Sequence, residues 1–192
     1  TRTGIHDTTD VNGMATIDVL PGAVHAFEVI FSAGTWTSEA LIGGQDTSLT
    51  TARTRLVIRD NTGLPFPQMR VDLLVDGRHP NGRRVLTDTT GVAFFDVLPG
   101  VAHALRARHL RGEWVSPIQH QADTTTIALQ TQQSSLTLTS DVGEPVAGAR
   151  VTLLTHDSVS TGGRITTAED GTARFQTLPG CLARFQIRLH GE

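Results

Sequence analysis

The sequence predicts an all-β chain: tandem Greek-key β-sandwiches with about seven strands per unit and almost no helix. Three observations carry this. Leu-Pro-Gly occurs at 20–22, 98–100 and 178–180, spacings of 78 and 80 residues. Beside each copy the apolar residues alternate with period two, as on half-buried strands. Gly, Asn and Asp turn formers recur at short intervals, and no stretch sustains the 3.6-residue period of a helix.

The repeat extends well beyond the tripeptide. Residues 10–22 (DVNGMATIDVLPG) match 88–100 (DTTGVAFFDVLPG), and 169–180 (EDGTARFQTLPG) form a third copy. Gly63-Leu-Pro65 with Arg70-Val71 returns as Gly143-Glu-Pro145 with Arg150-Val151. Trp36 and Trp114 are equivalent positions, as are His25 and His103. An internal repeat fixes architecture ahead of any local signal, because each copy must bury its faces in the same way. The alignment divides the chain into a partial repeat at 1–51 (the C-terminal part of a unit), a complete repeat at 52–131 and a partial repeat at 132–192 (the N-terminal part).

In the complete repeat, strands are expected near 54–59, 69–76, 83–88, 92–98, 102–110, 113–119 and 125–130. Asn-Thr-Gly at 61–63, Asp-Gly at 76–77, Asn-Gly at 81–82 and Thr-Thr-Gly at 89–91 are read as the turns between them. The inward face is predicted from positions that keep their character across copies: Ala15, Ile17 and Val19; Ala93, Phe95 and Val97; Ala173, Phe175 and Thr177. The strand after each Leu-Pro-Gly adds Phe27, Val29 and Phe31; Leu105, Ala107 and His109; Phe185, Ile187 and Leu189.

The motifs Ser140-Asp141-Val-Gly143-Glu-Pro145 through Val151, and Thr87-Asp88-Thr-Thr-Gly91-Val-Ala93-Phe94-Phe95, resemble the carboxypeptidase-regulatory-like and Cna-B-like modules. These are Ig-like sandwiches of the transthyretin-like (prealbumin-like) type. The resemblance implies a fold used in stalks of surface adhesins and pilins, in accessory domains of enzymes and in carbohydrate-binding domains; a fold alone does not choose among them. In pilin modules of this kind a lysine often forms an isopeptide cross-link. All sixteen Lys+Arg residues here are arginine, so that bond is unavailable within these residues.

Composition narrows the function. A formal net charge of −3 gives no basic footprint for nucleic acid. No apolar run approaches the roughly 18 residues that span a bilayer. Cys181 is the single cysteine, aligned with Ala23 and Val101, and reads as a small hydrophobe rather than a reactive thiol. A lone unit of about 80 residues is marginal, burying roughly 60–65% of its unfolded surface, so neighbour contacts are expected to add stability.

No nucleophile elbow, zinc-protease helix motif or phosphate loop is present. No catalytic residue, metal ligand or cofactor is therefore expected. The acidic turns around Asp7, Asp10, Asn12 and Asp18 offer oxygen ligands but lack calcium-loop spacing. His103 and His109 share a strand face and read as structural. Trp36 and Trp114 are the candidate ligand-contact residues, since indole faces stack on sugars, although one conserved packing job per unit explains them better.

Two copies lack strands within these 192 residues. Uncovering Ala15, Ile17, Val19, Phe27, Val29 and Phe31 forfeits on the order of 10 kcal/mol at about 1.5–3 kcal/mol per large side chain. Either the sequence is a window on a longer array, or neighbouring chains supply the missing strands. The expected function is non-catalytic: a segment of a bacterial cell-surface stalk, adhesin or extracellular filament that packs end to end or exchanges strands with its own kind. The alternatives are a carbohydrate-binding module and accessory domains of a larger secreted enzyme.

Overall fold

The computed structural model describes residues 4–32, 34–120 and 125–189. Among these the regular structure is all β, and no helix is long and apolar enough to cross a membrane. Segment 1–51 carries β1 (Val24–His25), β2 (Glu28–Phe31), β3 (Gly34–Thr37) and β4 (Leu41–Ile42). β2 and β3 form a hairpin, and β1 pairs with β4 over two residues.

Segment 52–131 carries β5 (Ala52–Arg59), β6 (Arg70–Val75), β7 (His79–Leu86), β8 (Val92–Val97), β9 (His103–His109), β10 (Gly112–Val115) and β11 (Thr125–Gln130). Two sheets result, ordered β11-β5-β8 and β10-β9-β6-β7. The chain changes sheet at β5–β6, β7–β8, β8–β9 and β10–β11, which makes a seven-stranded Greek-key sandwich. β5 is the centre of its sheet, antiparallel to β8 and parallel to β11. Its alternation puts Leu56 and Ile58 inward against Val71, Leu73, Ala93, Phe95, Leu105, Ala107 and Leu129. All seven expected strands are present, and Ala93, Phe95 and Val97 are buried as their spacing requires.

Segment 132–192 carries β12 (Gln132–Thr137), β13 (Arg150–Thr155), β14 (Ser160–Thr166), β15 (Thr172–Thr177) and β16 (Ala183–Arg188). They form sheets β12-β15 and β14-β13-β16 around Val151, Leu153, Ala173 and Phe175.

The structure corrects four expectations. Asn81-Gly82 is not a turn between strands but a bulge inside β7: the register passes from Asp72↔Arg84 to Leu74↔Pro80, and Gly82 takes φ 83°. A glycine that accepts positive φ lets the strand absorb the extra residue. β14 repeats the bulge at Gly162. β10 ends at Val115 rather than 119, because Ser116 turns its hydroxyl onto the Leu105 N–H at 3.0 Å and Pro117 has no N–H to donate. Of the expected inward set Phe185, Ile187 and Leu189, only Phe185 packs on the core; Ile187 and Leu189 are exposed.

The fourth correction is the largest. Residues 14–20 carry no strand, although their pattern matches β8 and β15. β8 pairs residue by residue with β5, and β15 with β12. Among the described residues no strand pairs with Ala15, Ile17 and Val19 in that role, and residues 47–51, equivalent in sequence to β11, are likewise not a strand.

Candidate functional site at the junctions between segments

Two junctions link the segments, and both are built from the same parts. In the first, the β2–β3 turn meets the Leu-Pro-Gly loop after β8. Leu98 is 2% exposed there. A Cβ on Gly34 would lie 3.0 Å from Val101 Cγ1 and 3.6 Å from Leu98 Cδ1, so this glycine sets how closely the turn approaches. Ser32 holds the polar side of the contact. Asn81 Nδ2 donates to its carbonyl at 2.8 Å, and Arg83 Nη1 donates to its hydroxyl at 2.8 Å. The Arg83 guanidinium also sits 5.0 Å from the centre of the Phe31 ring.

In the second junction, the β9–β10 turn meets the loop after β15. Leu110 (φ 46°) and Arg111 (φ 60°) are both left-handed, as a two-residue hairpin turn of the primed kind requires. Leu178 is 1% exposed and joins the core of the middle segment, with Cys181 packed against the same core. A Cβ on Gly112 would lie 2.6 Å from Cys181 Sγ, so any larger residue there would have to displace the Cys181 side chain. Leu110 packs into the apolar cluster of the last segment beside Leu136, Ala183 and Phe185. Opposite it stands Gly163, whose Cβ would lie 3.1 Å from Leu110 Cδ2.

Position by position the contacts correspond but the chemistry differs. Ser32 aligns with Leu110, Asn81 with Thr161, and Arg83 with Gly163. A small polar turn residue meets a long cation at one junction, and a large apolar one meets a bare backbone at the other. At the second junction the strands also run nearly unbroken: only the buried Thr131 separates β11 from β12, and its N–H donates to the Arg59 carbonyl at 2.9 Å. Its hydroxyl donates to Gln176 Oε1 at 2.8 Å, and the Gln176 amide in turn bonds Asn61.

The sequence-predicted residues fall partly on this framework. Cys181 sits in the second junction as a packing residue, its Sγ 3.8 Å from the Glu113 carbonyl. Trp36 lies opposite Val29 and Trp114 opposite Ala107, the same register in two hairpins. Both are half-buried, and Trp114 packs on the middle core. His103 is buried, with Nε2 2.7 Å from Thr54 Oγ1 and Nδ1 3.0 Å from the Val101 carbonyl. Burial lowers its pKa below the usual histidine value, against the opposing pull of that carbonyl. His109 is lowered for the same reason; its ring is edge-on to Phe66 at 5.1 Å and bonds the Gln176 carbonyl.

The acidic turns spend their carboxylates on the backbone. Asp10 Oδ1 accepts the Asn12 and Met14 N–H groups, and Asp7 accepts those of Thr8 and Thr16. Among the described residues no three His, Cys, Asp or Glu side chains converge as metal ligands do.

Sequence reasoning missed Asp72, 3% exposed on the outer face of β6. Arg70 Nε lies 2.9 Å and Arg106 Nη2 3.0 Å from its carboxylate, and Glu113 bonds the neighbouring Arg108 at 2.6 Å. Burial pushes the carboxyl pKa up, but hydrogen bonds and charge from Arg70 and Arg106 outweigh it and leave the value lowered. The available signal was an Asp inside the apolar run from Val71 to Val75, with Arg106 on the next strand.

No protein-family model matches the sequence, and no curated protein matches it. Solved structures with similar chain paths include the Bacillus anthracis TIE protein, at 13% identity and TM-score 0.37, covering 82% of this chain and 32% of that one. A streptococcal ancillary pilin is similar at 13% identity and TM-score 0.34, covering 79% and 62%. A single B repeat unit of the collagen-binding surface protein of Staphylococcus aureus is similar at 15% identity and TM-score 0.29, covering 76% and 87%. The chain thus spans about a third of the TIE structure's length.

Proposed function

We propose that the chain is a non-catalytic structural repeat protein with a partial repeat at 1–51, a complete one at 52–131 and a partial one at 132–192, used in a bacterial cell-surface stalk or extracellular filament. The single observation that carries this reading is the recurrence of one junction. Twice, a hairpin turn of one segment seats on the Leu-Pro-Gly loop of the next, closely enough that a side chain in place of the turn glycine would press on the loop. A packing rule that works between any two neighbours is what an array needs. The motif resemblance to Cna-B-like modules supports the same reading.

On this proposal the first segment is completed by a strand lying between residues 14–19 and 47–51, supplied by a repeat of the same kind. Extending the full chain with a copy of residues 132–158 ahead of Thr1 supplies the aligned strand. Amide hydrogen exchange is then expected to slow across 14–19 and 47–51, and unchanged exchange would refute completion. For the surface role, antibody against residues 52–131 is expected to label intact source cells. Labelling that appears only after lysis would refute it.

A second reading has its own observation: Trp36 and Trp114 repeat in register and each leaves part of its ring uncovered. On that reading they contact carbohydrate, and Trp114→Ala abolishes glycan-array binding while the fold persists.

A further inference from the structure

The Leu-Pro-Gly loop of the first segment is shaped like the other two but covers nothing. Leu20 is 78% exposed, against 2% for Leu98 and 1% for Leu178. Its backbone already has the docked form. The Ala23 N–H donates to the Leu20 carbonyl at 3.1 Å, as Val101 does to Leu98 at 3.3 Å and Cys181 to Leu178 at 3.2 Å. Gly22, Gly100 and Gly180 take φ 74°, 73° and 76°. Gly43 braces the free loop from behind, donating its N–H to the Ala23 carbonyl at 2.9 Å, and a Cβ there would lie 2.5 Å from the Leu20 carbonyl oxygen. In the aligned sequence Ile5 holds the position of Arg83 and Gly163, and it is 61% exposed.

We propose that Leu20, Ala23 and Ile5 form the open half of a third junction, whose occupant is the β-hairpin turn of a further repeat of the same kind, apolar at the position of Ser32 and Leu110. Continuity with the two filled junctions identifies the occupant: both equivalent loops hold a turn of this type and no other element. Ile5 selects its chemistry. Arg83 takes the polar Ser32, whereas an apolar side chain offers that turn residue no hydrogen bond; a leucine there must tilt away from Ile5, because a Cβ at the equivalent Gly163 would already lie 3.1 Å from Leu110 Cδ2. A loop already in the bound shape spends no ordering entropy on docking.

This inference rests on the repeat reading above, so the test separates the two. Two extended forms of the full chain are compared, one with a copy of residues 132–158 ahead of Thr1 and one with residues 52–158. The short form supplies the missing strand alone; the long form adds the turn carrying Leu110. The readouts are amide exchange over 14–19 and the relaxation that a soluble paramagnetic probe induces at the Leu20 methyls. Leu20 is expected to remain open in the short form and to fall to the level of Leu98 in the long one. Leu110→Asp in the added copy is expected to reopen it, and Ile5→Gly in the long form, which reproduces the Gly163 socket, to keep it closed. Protected 14–19 with Leu20 open in the long form, with or without Ile5→Gly, overturns the junction and leaves strand completion standing. A closed Leu20 with unprotected 14–19 supports the junction and overturns completion. No change in any form overturns both.

Discussion

Residues 10–22 and 88–100 share eight of thirteen positions, including Asp-x-x-Gly and Asp-Val-Leu-Pro-Gly, yet only the second folds into a strand. Their turns are alike. Asp88 Oδ1 accepts the Thr90 N–H at 2.8 Å and the Val92 N–H at 3.0 Å; Asp10 Oδ1 accepts the equivalent pair at 2.8 and 2.9 Å. Gly13 and Gly91 both take φ 77°. The difference begins where the turn ends, because β8 has β5 beside it and, among the described residues, no strand pairs with 14–20. A turn is made of its own atoms. A strand is made of someone else's: its hydrogen bonds and the burial of its alternate side chains both come from a partner.

The strongest way to break the comparison is at the turn glycine. A Cβ on Gly91 would lie 2.4 Å from the Ile58 carbonyl oxygen, whereas nothing lies within 4 Å of one on Gly13. Gly91→Ala adds backbone overlap to the positive-φ strain and is expected to cost about 3–5 kcal/mol. Gly13→Ala carries the strain alone, ~1 kcal/mol, and in a segment with little core. Chemical denaturation of the two variants should separate them by more than twofold; equal losses would mean that residues 14–20 are paired after all.

Next comes the leucine. Leu98→Ala empties a filled site and is expected to destabilise by about 2–4 kcal/mol. Leu20→Ala changes a solvated side chain and should stay within about 0.5 kcal/mol of the parent. A large loss at Leu20 in the chain alone would show that the loop is already covered.

The histidines sharpen the contrast by pH. His103 and His109 titrate below the usual histidine value near ~6.5 because burial disfavours the imidazolium. The unfolded chain therefore binds protons first, so stability is full above about pH 6.5 and declines as pH falls from there toward the folded-state values. The melting temperature should drop between pH 7.5 and 5, and His103→Asn with His109→Asn should flatten that drop. A pH-independent transition in the parent would sink the assignment.

These contrasts explain what was legible in the sequence. The seven strands of the middle segment and the inward set of Ala93, Phe95 and Val97 follow from alternation and turn residues, which are local. The tight glycines at the junctions were not legible, because Gly34 and Gly112 owe their role to Val101 and Cys181, which lie 67 and 69 positions away. Asn81-Gly82 misled for a related reason: a positive-φ glycine serves a hairpin turn and a bulge equally well, and the partner strand decides. Asp72 was hidden because only the pairing of β6 with β9 brings Arg106 beside it. The two tryptophans were legible as one repeated position, and both are half-buried.

The smallest expected effect tests the local half of the comparison. Asp88 is lowered below the ordinary carboxyl value by the Thr90 hydroxyl and then the Val92 N–H; Asp10 is lowered by the N–H groups of Met14 and then Asn12. None of these donors belongs to another strand. If the turn forms without β5, NMR titration should find both carboxyls depressed, Asp10 included, even though the residues that follow it are not a strand. A depressed folded-state value also means that each turn contributes stability above the unfolded aspartate pKa near ~3.9 and loses it as pH falls through the folded one. The two turns should therefore open together in acid, whatever becomes of the strands behind them. An Asp10 that titrates at the free value while Asp88 stays low would show that the partner strand holds the turn as well.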